Sequence, residues 1–376
     1  MTVVLVAVLL GDGLAWLALR ADNYYVFSPG TAPVITTSAS CKDTGSGNLS
    51  FPNGTPCARL AVPPNLSHQI AGGLFMVDVY VGQATPLDYL RSKLGPVGAL
   101  EEGTQLVPRR AVLGSTPQSQ LTCQDTQQMQ GSTSSAAVVA VRRLGYTVNE
   151  NNLGAQLYQI QPGSAAAVAG VQCGDVVTSI NGKTVHTAQD LVNIIRTHKP
   201  GDQVTVTADR TDSQGRKRTV TVTPHLTGTP KIGTQAANPQ KPFLGVVAQD
   251  DTTFSFPFGV NINVGDIGGP SAGLALTLGL IDVLSGGQLT GGHLVAATGT
   301  ISIDGTVGDV GGVAQKAVAV RKAGAQVFLV PPQEFNAARR HAGGMKVYAV
   351  STLQQALNDL ELLGGHVPAP PSGQNR

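Results

Sequence analysis

Between Leu274 and Leu284 the only polar side chains are Thr277 and Asp282. A helix crossing a bilayer needs about 20 apolar residues, with a lower limit near 17. This run is too short to span, so the protein itself must cover it, and a buried helix follows. Gly268-Gly269-Pro270-Ser271-Ala272-Gly273 leads directly into it. Ser271 therefore stands at a helix start, where backbone N–H groups lack intrahelical partners and the dipole favours negative charge. An oxyanion forming beside Ser271 would meet donors already in place, and the glycines would let a carbonyl approach closely. Taken alone, the same serine also reads as a plain N-cap or an anion-binding turn.

A second glycine pair, Gly311-Gly312, opens the helix that carries Lys316. Val313, Ala319 and Val320 stand three before, three after and four after it, so Lys316 projects from an apolar face. Burial disfavours the charged amine and lowers its pKa. A neutral amine near a hydroxyl is what a Ser–Lys dyad requires, lysine replacing histidine as base. A lone lysine there would read as well as a snorkelling side chain.

Together these motifs resemble the proteolytic domain of the Lon family, over residues 243–360. The matching set, in order, begins with Gly269-Pro270-Ser271-Ala272-Gly273, followed by Ala297-Thr298-Gly299 and Ile301, then Gly305 and Val307. Gly311-Gly312, Lys316 and the strand Val327-Phe328-Leu329-Val330-Pro331 complete it, with Lys316 lying 45 residues after Ser271. The resemblance implies Ser271 as nucleophile, Lys316 as general base and Thr298 as the hydroxyl that holds the lysine, with Gly269, Pro270 and Ala272 supporting the turn. Two positions depart from it: the acidic residue the family keeps three before the serine is Gly268 here, and Ala314 replaces a charged residue two before the lysine.

Upstream, Gly154–Ile160 reads as a strand, and Asn181-Gly182 is a hairpin signal. Thr187 is placed to cap a helix through Leu191, Ile194 and Ile195, and Val204–Ala208 and Thr219–Thr223 alternate as closing strands. Pro162-Gly163-Ser164-Ala165-Ala166, Gly174-Asp175-Val176-Val177 and Ile180-Asn181-Gly182 resemble a bacterial protease-associated PDZ domain. That resemblance implies a groove in which an extended peptide adds as a strand, expected between Gly154–Ile160 and the helix 188–195. Asn152, Leu153, Gly154, Ala155, Leu191 and Ile195 would line it. Gly182-Lys183-Thr184 imitates the end of a P-loop, but Val177 stands where that motif needs its first glycine.

The remaining expectations come from composition and from the N-terminus. Charged residues make up 13% of the 376, and the net charge is only +2, with no basic cluster interleaved with aromatics, which counts against nucleic acid. No His, Cys or carboxylate spacing suggests a metal or cofactor, and no ATPase module is found. Val3 to Leu19 is apolar except for Gly11, Asp12 and Gly13. No basic stretch precedes this run and no clean A-x-A site follows, which favours an uncleaved membrane anchor over a signal peptide. Cys41 and Cys57 flank a polar loop that a disulfide could close in an oxidising compartment; four unrelated thiols is the other reading.

The expected fold is α+β and multidomain: a transmembrane helix over 1–22, a mixed N-terminal region over 23–135, a β-sandwich-like PDZ domain over 136–226, an α/β Lon-type domain over 240–364 and a disordered tail over 365–376. The whole resembles a bacterial membrane-anchored PDZ–Lon protease. The resemblance implies an extracytoplasmic, ATP-independent serine endopeptidase cleaving unfolded proteins or peptides, with oligomerisation left open because related domains form rings. A PDZ-containing peptide binder that has lost activity is the competing reading.

Overall fold

The computed structural model describes residues 17–369 apart from 44, 46, 95–99, 115–117 and 213–214. The chain divides into two compact units, one of residues 1–115, 129–147 and 256–376, the other of residues 116–128 and 148–255.

The first unit is built on a seven-stranded sheet in the order Asn261–Asn263, Cys57–Ala61, Val34–Thr36, Gly73–Phe75, Leu294–Ala297, Val327–Val330, Lys346–Ala349. Its last four strands run parallel. Such strands are covered on both faces and read as continuous apolar runs, as Val327-Phe328-Leu329-Val330 does. Helix Gly273–Leu284 lies close to Ile35 and Leu74. Helix Val313–Lys322 packs with Phe75, Phe328 and Val330. Leu74 and Phe75 are successive strand residues and point to opposite faces, so the two helices sandwich the sheet.

Three strands of this sheet come from residues 34–75. The N-terminal region expected over 23–135 thus supplies strands to the same sheet as the C-terminal part, and also forms a small three-stranded sheet of its own from Val79–Gln83, Tyr24–Pro29 and Gln105–Pro108. The polar, Gln/Ser/Thr-rich stretch Ser115–Ser135 lies largely within a 26-residue helix, Gln118–Arg143. Small residues let it pack closely, and Ala136 to Val141 are all buried.

The second unit is a sheet in the order Lys217–Val222, Val206–Thr211, Val176–Ile180, Asn149–Ile160, Val246–Ser255. Helix Ala188–Arg196 begins with the expected Thr187 cap, in a reciprocal capping box with Asp190. Asn181 (φ 50°) and Gly182 (φ 74°) make the expected hairpin turn. Asp175, 1% exposed, accepts two bonds from Arg210 at 2.6 and 2.7 Å, a forked pairing that satisfies a buried charge.

The expected groove is corrected here. Asn149–Ile160 is bonded on one side to Val176–Ile180 and on the other, along its length, to Val246–Ser255. It has no free edge for a peptide. Ala155, Leu191 and Ile195 lie in the core of this unit, Gly154 is buried, and Asn152 accepts the Thr252 hydroxyl bond at 2.7 Å. Leu153 alone of the named apolar residues is exposed. The strand at the edge of the sheet is Val246–Ser255.

All four cysteines are paired, Cys41 with Cys57 and Cys123 with Cys173. The first closes the polar loop as one of the two readings held; the second joins the start of the long helix to the turn before Val176–Ile180. Among the described residues no helix is long and apolar enough to cross a membrane. The expected anchor falls mainly on residues 1–16, outside the described residues. The tail expected to be disordered from 365 is partly docked: Gly365 N donates to Leu360 O, His366 N to Gln288 O, and Arg143 Nη2 to Pro368 O.

Candidate active site

Ser271 lies in a single 3-10 turn, Pro270–Ala272, that runs straight into the buried helix Gly273–Leu284. Gly269 enters the turn at φ +85°, a conformation that strains any residue with a Cβ. Five bonds fix the turn, one of them from the Thr298 hydroxyl. Ser132 Oγ donates to Pro270 O at 3.0 Å, and Gly273 N donates to the same carbonyl. Gly299 N donates to Ser271 O at 2.9 Å, and Leu274 N to Gly299 O at 3.1 Å. The serine turn is thereby stitched to the segment that follows strand Leu294–Ala297.

Gly273 is needed for that closeness. A Cβ there would stand 2.8 Å from the Ile301 Cγ2 and N atoms and 3.0 Å from Ser132 Oγ. Gly273→Ala is expected to push the turn off its bonds, costing about 1–3 kcal/mol of stability and about 10²-fold in turnover through misplacement of the serine. Denaturant melts and hydrolysis rates on the same preparation check both.

Thr298 follows the last residue of strand Leu294–Ala297, at the carboxyl end of a parallel strand, where α/β sheets gather their ligands. It is wholly buried and tied by its N–H to Leu329 O. Its hydroxyl donates to Ser271 O at 3.1 Å and accepts from Lys316 Nζ at 3.1 Å. A threonine hydroxyl has one hydrogen. With that hydrogen spent on the serine carbonyl, the oxygen can only accept, so the amine must be the donor. In a neutral amine this leaves the other N–H and the lone pair for other partners.

Lys316 is 3% exposed and sits among Val313, Ala317, Ala319 and Val320. Burial pulls its pKa down from the ordinary 10.5 to about 8, against the opposing pull of Asp78 and Glu334, whose negative charge favours the ammonium. Asp78 is held by Thr31, whose N–H and hydroxyl both donate to its carboxylate, at 2.7 and 2.5 Å. Glu334 accepts from Val310 N at 3.3 Å through one oxygen, while the other is buried without a partner. Among the described residues no hydrogen bond joins Ser271 Oγ to Lys316 Nζ. Such contacts are often long before substrate binds and close in the complex.

The first unit therefore brings together Ser271, Lys316 and Thr298 with Gly269, Pro270 and Ala272. Ser132, Asp78 and Glu334 join them without having been foreseen. Asp78 and Glu334, whose charges act on Lys316, come from segments far from the serine in sequence, which no local motif could reveal.

Two stretches of the chain match known families. Residues 142–223 match the PDZ domain family, and residues 248–360 match the Lon protease (S16) C-terminal proteolytic domain. The chain is 32% identical over 118 residues to Lon protease 2 of Bacillus subtilis, covering 31% of this chain and 20% of that protein. It is 39% identical over 77 residues to the serine protease PepD of Mycobacterium tuberculosis, covering 20% of this chain and 16% of that one. It thus spans a fifth or less of these relatives' length. Among solved structures, the PDZ domain of an SdrC-like protein from Listeria monocytogenes aligns with 26% of this chain and 87% of its own, at 21% identity and a TM-score of 0.21.

Proposed function

We propose, on the premise that the chain carries a PDZ domain followed by a Lon-type (S16) proteolytic domain, that it is a serine endopeptidase working through a Ser271–Lys316 dyad. The observation that carries this reading is the Thr298 hydroxyl, bonded at 3.1 Å both to the serine's own carbonyl and to a buried lysine amine. Snorkelling would require the ammonium to reach water, and Lys316 is 3% exposed.

In the proposed reaction, neutral Lys316 takes the Ser271 hydroxyl proton as Oγ attacks the scissile carbonyl. The oxyanion forms at the start of helix Gly273–Leu284, where N–H groups and the dipole favour it. The new ammonium rests against Thr298 Oγ1 in the field of Asp78 and Glu334. It then passes its proton to the departing amine, and water hydrolyses the acyl-serine with Lys316 again as base. No step needs nucleotide, which supports ATP independence. Without a motor to pull substrates apart, unfolded or loosely folded proteins are the expected substrates.

Two disulfides support placement outside the cytoplasm, where such bonds persist, and the apolar run Val3–Leu19 supports membrane attachment. A peptide would add to the edge strand Val246–Ser255 beside helix Ala188–Arg196, whose Ala188 N already donates to Asp250 at 2.7 Å. The test is incubation of the purified chain with an unfolded and a folded protein, without ATP, beside Ser271→Ala. Cleavage of the unfolded protein alone, absent in the variant, is the expected result. Failure of the parent to cleave, even with a peptide that binds the second unit, would leave an inactive peptide binder.

A further inference from the structure

Strand Tyr24–Pro29 pairs antiparallel with both Val79–Gln83 and Gln105–Pro108, Tyr25 opposite Gln83 and Tyr24 opposite Pro108. The start of the first strand and the ends of the other two therefore lie at one end of this small sheet. Everything attached there has an unusual surface. The chain arrives through a helical turn that carries exposed Leu19 and Arg20 and ends at buried Ala21. Helix Pro86–Arg91 leaves from the second strand with Leu87 53% and Leu90 37% exposed, and Leu94 just beyond it is 55% exposed. Tyr89 of this helix packs on Tyr24, which fixes it to the same end. Helix Arg109–Leu113 leaves from the third strand with Arg109 and Arg110 exposed.

Between the first and third elements lies an open cleft of about 470 Å³, lined among others by Asn23, Tyr24, Arg109, Arg110 and Leu113. Arg20, Arg91, Lys93, Arg109 and Arg110 are all surface residues, while the acids nearby are engaged: Asp88 caps its own helix through Thr85, and Asp22 accepts from Gln83. Exposed leucines interleaved with arginines, in a chain whose sequence carries an apolar run ending at Leu19, match the chemistry of a lipid–water boundary.

We propose that this strand-end face is a seat for anionic phospholipid. Arg109 and Arg110 take a lipid phosphate in the cleft, and Leu87, Leu90 and Leu94 enter the acyl boundary beside it. The inference rests on the membrane-side placement proposed above and is independent of the dyad. It goes further in naming the surface, the residues and the sign of lipid charge they require.

The test uses the full chain carrying one environment-sensitive fluorophore on Leu90→Cys, with Val168→Cys, 81% exposed in the other unit, as control. The four native cysteines are paired and leave the added thiol alone to react. The protein is reconstituted from detergent into vesicles of phosphatidylcholine, with or without phosphatidylglycerol, and floated. The expected result is flotation with a blue-shifted, brightened signal at position 90 in anionic vesicles only. The shift should weaken about tenfold or more in lipid titrations of an Arg109→Glu, Arg110→Glu variant, with the control label unchanged. Flotation with a water-like signal at position 90 in both lipids would overturn the seat while sparing the membrane placement. Failure to float would overturn both. A shift in detergent alone that grows with protein concentration would mean that a second copy covers the face, and would also overturn the proposal.

Discussion

Lys316→Met is expected to abolish hydrolysis and to make the protein more stable at neutral pH. On the first count, the proposed dyad loses its general base. Removal of one member of such a catalytic group costs on the order of 10⁴–10⁶ in turnover. On the second, methionine is an unbranched side chain that adapts to a buried position such as 316, which is 3% exposed, and it carries no charge to desolvate. Lys316 has a folded pKa of about 8 against an ordinary 10.5. Between those values the folded chain binds fewer protons than the unfolded chain, so stability rises with pH through that window. Below pH 8 the whole cost of burying the ammonium is present. Methionine removes it, with an expected gain of about 1–3 kcal/mol at pH 7 that fades towards pH 10.5. A structural lysine in a salt-bridged core would show the opposite, a loss of stability. Denaturant melts at pH 7 and pH 10, with hydrolysis rates alongside, separate the two.

The second large effect is in the pH profile. If the neutral amine of Lys316 is the base, kcat/KM rises about tenfold per pH unit below pH 8 and levels off above it. The rate at pH 6 should be about 100-fold below the plateau. Glu334→Gln keeps an oxygen for the Val310 N–H but removes a charge that favours the ammonium. Its midpoint is expected to move to lower pH, so that more base is available at pH 7. A profile flat from pH 6 to pH 9, or a midpoint unmoved by Glu334→Gln, would mean that another group takes the proton.

Ser271 and Lys316 were legible as candidates because the constraints on them are local. A serine between glycines before an apolar helix, and a lysine among Val313, Ala319 and Val320, each announce their setting within a few residues. Thr298 was found only through the order of motifs between them. The supporting groups were not legible: Asp78 and Ser132 reach the site across the sheet and along a Gln- and Ser-rich helix whose pattern carries no apolar stripe. The sheet itself was half hidden. Val34–Thr36 and Gly73–Phe75 are three residues each, too short for a period to appear. Gly73 to Val81 is one nearly unbroken apolar and β-branched stretch in the sequence, yet Gly73–Phe75 and Val79–Gln83 belong to different sheets. The peptide groove was misplaced for a related reason. Val246–Ser255 follows the closing strands in chain order and falls within the stretch 240–364 expected as the Lon-type domain, although it forms the edge of the second unit's sheet.

The most direct test of the dyad is labelling of the full chain with a fluorophosphonate, read by intact mass and peptide mapping. The account predicts a single adduct on Ser271, formed without nucleotide, faster as pH rises towards 8 and absent in Lys316→Met at pH 7. An adduct elsewhere, or Ser271 labelled equally fast in Lys316→Met, would contradict it.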